Sequence, residues 1–77
     1  MQFSPKERAF LEKFGAKITL LREDQGLSQP QLAELADIDI ATLIQIEHGT
    51  VDIPLYDMHR LHKALGIESS VFFKNFS

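Results

Sequence analysis

Apolar residues recur along this chain at spacings of three and four, the period of a helix with one buried side. In the N-terminal third the repeat is Phe10, Leu11, Phe14, Ile18 and Leu21. It predicts a first helix over about residues 5–25 with those side chains as its apolar stripe. Ser4-Pro5-Lys6-Glu7 supplies the start. The serine hydroxyl meets the Glu7 amide, the Glu7 carboxylate reaches back, and proline suits the first turn. Gly26 supplies the stop, because a residue without Cβ enters the left-handed conformation cheaply.

The same grammar repeats. Ser28 and Gln31 form a second capping box, and Pro30 falls in the first turn, where its missing N–H matters little. Leu32, Ala33, Leu35 and Ala36 make a short apolar second helix ending near Ala36. Asp37-Ile38-Asp39 reads as a turn, with Asp39 the N-cap of a third helix in which Leu43 and Ile46 point inward and Gly49 terminates. After a loop over 50–53, Pro54 opens a fourth helix with core positions Leu55, Met58, Leu61 and Leu65, stopped by Gly66. Glu68 or Ser69 starts a last short helix carrying Val71, Phe72 and Phe73. No segment alternates with period two, so no sheet is expected. The expected fold is all-α: one domain of five helices over residues 1–77.

Composition narrows the function. At 77 residues the chain is one small domain, and a domain of that size buries only about 60% of its unfolded surface, leaving room for self-association to add stability. It has no cysteine, which removes disulfides and thiolate metal sites. No apolar run approaches the ~20 residues that span a bilayer. Ser4, Pro5, Lys6 and Glu7 interrupt the N-terminus before any signal-like core develops. A soluble, cytoplasmic protein with no membrane partner is expected. The serines stand at helix starts, where capping explains them, no glycine-rich loop cradles phosphate, and the carboxylates are scattered. No enzyme and no cofactor are expected. His59 and His62 are spaced three apart without a third ligand, so they are ordinary side chains and no metal site is expected.

The ordered set Leu21-Arg22, Gly26-Leu27-Ser28-Gln29, Leu32-Ala33, Thr42-Leu43, Ile46-Glu47, Gly49 and Ala64-Leu65-Gly66-Ile67 resembles the phage repressor and Cro-like (XRE) helix-turn-helix family over nearly the whole chain. Within that family the length and the ending Ile67 to Phe72-Phe73 are similar to the small controller proteins of restriction–modification systems. The resemblance implies a five-helix, lambda-repressor-like domain with its helix-turn-helix core over about 28–49. It implies a sequence-specific transcriptional regulator that lays the third helix in the major groove of double-stranded operator DNA. Carried over residue by residue, Gln29 matches the position that holds a phosphate at the start of the second helix. Asp39, Ile40, Ala41, Ile44 and Gln45 match the groove-facing positions, and Thr42 borders them. His48 and Thr50 match the approach to the backbone after the recognition helix. Arg22 and Glu47 match a structural ion pair that ties the first helix to the third.

The departures from the family pattern concern charge. Base edges offer hydrogen-bonding groups, yet only Gln45 and Thr42 on this face carry suitable ones; Ile40 and Ala41 suit a thymine methyl. Asp39 would lie near phosphates, and at best would accept from a cytosine amino group. After Arg22 no Lys or Arg occurs before Arg60, while Glu23, Asp24, Glu34, Asp37, Asp39, Glu47, Asp52 and Asp57 lie between. Non-specific DNA affinity comes mainly from cations that displace condensed counterions, so weak intrinsic affinity is expected. Lys6, Arg8, Lys13, Lys17, Arg60 and Lys63 remain for flanking phosphates. His48, at the end of the recognition helix, reads first as an exposed residue favoured by the helix dipole. The alternative is a protein–protein interaction or antitoxin-like module, with Ile40, Ala41 and Ile44 as an apolar docking patch for a protein partner. Asp37 replaces the usual glycine of the turn, and aspartate tolerates the left-handed region.

Phe72, Phe73 and Phe76 crowd the C-terminus. One or two finish the core, and a third stays exposed on so small a domain unless another chain covers it. A two-fold homodimer built from the fifth helix and the end of the fourth, with these three residues at its interface, is expected. It would set two recognition helices about one DNA turn apart, as a palindromic operator requires.

Overall fold

The structure, a computed structural model, describes residues 2–72. Its helices are α1 (Pro5–Asp24), α2 (Gln29–Ala36), α3 (Ile40–His48), α4 (Leu55–Ala64) and α5 (Ser69–Phe72), and the described residues contain no strand. Both capping boxes form. The Glu7 amide donates to Ser4 Oγ at 3.1 Å and the Gln31 amide to Ser28 Oγ at 3.2 Å, each with the reciprocal bond in place.

The longer helices all close in the same way. The Leu27 amide donates to the Arg22 carbonyl, Ile38 to Ala33, Thr50 to Gln45 and Ile67 to His62, and in each case the preceding amide donates to the next carbonyl along, as Gly26 does to Glu23. This six-to-one closure needs a left-handed residue just past the helix. Glycine supplies it at Gly26, Gly49 and Gly66, while α2 uses Asp37 at φ 57°. The turn between α2 and α3 is therefore set by α2's own backbone. Asp39 stands at the N-cap of α3, but its side chain makes no capping hydrogen bond. Ile38, buried in the core, anchors the entry to α3 instead.

Helix α1 is the axis of the core. Its Phe14 and Ile18 pack with Leu32, Leu43, Ile46, Leu61 and Phe72, all of them fully buried. Helix α3 crosses α1 closely, because Gly15 has no side chain there. A Cβ at that position would overlap the Ile46 and Glu47 carbonyl oxygens. The Gln25 amide nitrogen reaches the Leu65 carbonyl at 2.6 Å and joins the end of α1 to the end of α4.

Several sequence expectations need correction. Phe72 is a core residue of its own subunit: it meets Phe14 edge-on at 5.5 Å between ring centroids and is 0% exposed. It cannot be an interface residue, and Phe73 and Phe76 lie outside the described residues. Phe10, Leu35 and Leu55, assigned to apolar stripes, are exposed. The helical period identifies a side, and burial also requires a neighbour to cover it. On α2, at about 100° per residue, Leu35 falls well off the arc shared by Leu32, Ala33 and Ala36.

Candidate nucleic-acid interface

The buried carboxylate of Glu47, near the end of α3, organises the interface. Arg22 of α1 donates to it from Nε at 2.7 Å and from Nη2 at 3.2 Å, and from Nη1 to the Leu27 carbonyl at 2.9 Å. Gln29, at the start of α2, donates its side-chain amide to the same carboxylate at 2.9 Å. One acid thus joins α1, α2 and α3. The side chains of Arg22 and Glu47 are 11% and 3% exposed. The hydrogen bond with Glu47 raises the Arg22 pKa against the opposing effect of desolvation, so the guanidinium is a cation at any physiological pH. With one side-chain N–H given to Glu47, Gln29 can also offer a ligand its backbone N–H at the first position of α2. Next to it Pro30 has no N–H, and the Gln31 amide is taken by Ser28.

With Leu43, Ile46 and Glu47 facing inward, the opposite side of α3 is open. Asp39, Ile40, Ala41, Gln45 and His48 are exposed, and Thr42 and Ile44 are half-buried. These residues form one continuous strip along α3. At its far end the Thr50 hydroxyl and amide both donate to the Gln45 carbonyl, at 3.3 and 3.1 Å. The strip carries neither Lys nor Arg.

The flanking cations divide into two groups. Lys17 donates to the Phe72 carbonyl at 2.9 Å, which commits it to holding α5. Arg60 pairs with Asp57 at 3.3 Å and lies over the Tyr56 ring at 4.5 Å. Lys6, Arg8, Lys13 and Lys63 are exposed.

The model of the helix-turn-helix family matches residues 18–72. This chain belongs to that family. The helix-turn-helix domain is of the XRE type, a family of DNA-binding regulators and not of enzymes. Among solved structures it is similar to the restriction–modification controller protein C.AhdI from Aeromonas hydrophila, with a TM-score of 0.81 and 37% identity over 84% of this chain and 98% of that one. It is also similar to the wild-type controller protein C.Esp1396I, with a TM-score of 0.79 and 25% identity over 84% of each chain. No curated protein matches the sequence. Among the described residues no helix is long and apolar enough to cross a membrane, and no group of metal-ligating side chains is present.

Sequence reasoning missed two parts of this helix-turn-helix site. The engagement of Gln29 by Glu47 joins residues 18 apart in sequence and has no local signature. The close crossing at Gly15 did have one: a glycine inside a helical pattern, disfavoured by about 1 kcal/mol relative to alanine, marks a packing requirement.

Proposed function

We propose that this helix-turn-helix protein is a sequence-specific transcriptional regulator that binds a palindromic DNA operator as a homodimer in the cytoplasm. The observation that carries this reading is the outer strip of α3. It is uncovered by its own subunit, while the inner side of the helix is fastened through Glu47 to α1 and α2. A rigid, presented helix is what major-groove insertion needs. Gln45 and Thr42 read base edges, Ile40, Ala41 and Ile44 contact thymine methyls, and the Gln29 amide meets a phosphate. Asp39 and His48 border the contact at the two ends of α3.

With Phe72 in the core, a different surface serves the dimer. Leu55 and Tyr56 are 80% and 63% exposed at the start of α4, and with Met58, His59 and Ser69 they line an apolar groove of about 600 Å³ between α4 and α5. Large apolar residues clustered in this way on a small domain suit a second copy related by a two-fold axis.

Selection from a random duplex library at low salt tests the reading. An enriched palindrome is expected, lost in Ile40→Asp, with Leu55→Asp converting dimer to monomer in sedimentation and weakening operator binding. No enriched sequence at micromolar protein would count against DNA recognition. A second reading rests on the absence of Lys and Arg from the strip: an interaction module that docks a protein on Ile40, Ala41 and Ile44. It predicts indifference to DNA and a protein complex that Ile40→Asp abolishes without unfolding the domain.

A further inference from the structure

The recognition strip lacks cations, yet a regulator of this kind still has to hold the DNA backbone. We propose that Arg8, on α1, is the cation that does so, in a phosphate-binding pocket at the far end of the recognition helix. The pocket is a cleft of about 190 Å³ where the first turns of α1 meet the end of α3, and Gln2, Arg8, Glu12, His48, Gly49 and Thr50 line it. It exists because Gly49 lets the chain leaving α3 lie directly on α1. A Cβ at Gly49 would come within 2.6 Å of the Glu12 Cα.

Several observations place a phosphodiester there. His48 lies one helical repeat beyond Ala41 and one turn beyond Ile44, so it continues the same exposed strip. A recognition helix meets the bases with its N-terminal residues, so the end of α3, about 12 Å further along at 1.5 Å per residue, faces the phosphate backbone rather than the base edges. Arg8 is free to act: the described ion pairs are Arg22–Glu47 and Arg60–Asp57, and Arg8 enters neither. Its guanidinium offers a donor fork suited to phosphate, and the His48 ring and the Gln2 amide add further donors. Glu12 is the opposing group. Its carboxylate, one turn along α1 from Arg8, repels an anion and competes for the guanidinium.

This site rests on the DNA-binding reading, and its test separates the two. Fluorescence anisotropy across a salt series is measured with the selected operator and with a scrambled duplex, for wild type, Arg8→Gln, Arg8→Lys, Glu12→Gln and the control Leu20→Gln, an exposed position on α1. Arg8→Gln should weaken both duplexes equally, by about tenfold, and lower the slope of log affinity against log salt by about 1. Arg8→Lys should keep the slope, Glu12→Gln should strengthen binding to both duplexes, and Leu20→Gln should stay within about twofold of wild type. Arg8 is exposed, so its variants should melt with wild type. A wild type that binds while Arg8→Gln keeps its affinity and slope overturns the pocket and leaves the function standing. A wild type that binds neither duplex overturns both.

Discussion

Replacing Glu47 by glutamine keeps the shape of the side chain and removes its charge. In the native protein two Arg22 nitrogens and the Gln29 amide converge on its oxygens at 2.7, 3.2 and 2.9 Å. Glutamine retains one acceptor oxygen and turns an NH₂ group toward donors, so at least one charge-assisted hydrogen bond worth about 1.5–3 kcal/mol is lost. The guanidinium is then left without a counter-charge at 11% exposure, too buried for solvent to take over the role. Breaking one side of a buried pair costs about 3–5 kcal/mol in total. A chain of 77 residues has a stability of about 4–12 kcal/mol, so Glu47→Gln should take a large share of it and lower Tm by about 12 °C or more. Urea denaturation followed by circular dichroism measures the loss. The double variant Arg22→Met with Glu47→Leu should lose less than the sum of the two single variants, because neither charge remains buried alone. Its residual deficit should be about 1 kcal/mol for each of the Leu27 carbonyl and Gln29 amide, which both lose a partner. A Glu47→Gln protein within 1 kcal/mol of wild type would refute the view that this carboxylate holds the three helices together.

Two backbone positions give predictions of sign. Gly15→Ala should gain about 1 kcal/mol in helix propensity, yet the new methyl overlaps two carbonyl oxygens of α3 at a cost of about 1–3 kcal/mol, for a net loss of up to about 2 kcal/mol. A raised Tm in calorimetry would disprove the close crossing. At Asp37, held at φ 57°, glycine should stabilise the protein by about 0.5 kcal/mol and valine should destabilise it by more than about 1 kcal/mol. Equal melting temperatures for the two variants would show that the turn carries no conformational strain.

Most of what depends on hydrogen bonds closed within about six residues was legible in the sequence, although the expected side-chain cap at Asp39 does not form. Both capping boxes, the stops at Gly26, Gly49 and Gly66, and the left-handed Asp37 between α2 and α3 are local events, and each has a residue type whose chemistry announces it. The periodic apolar pattern likewise announced the helices and the inward positions of Leu43 and Ile46. The pairing of Arg22 with Glu47 was expected only from a family resemblance, since nothing in the spacing of two residues 25 apart requires them to meet.

The tertiary structure decided what covers what. Period places Leu55 and Phe72 alike on apolar sides, yet one is 80% exposed and the other 0%, because burial depends on a neighbour brought from elsewhere in the chain. The same holds for the commitment of Lys17 to the Phe72 carbonyl, 55 residues away, and for the cleft that gathers Arg8 and His48. Local rules in a chain this short determine which helices form and where they end. Which cations are committed to the fold and which remain for a ligand is settled only when distant segments pack, since hydrogen bonds and charge pairs act over a few ångströms of space whatever the separation in sequence.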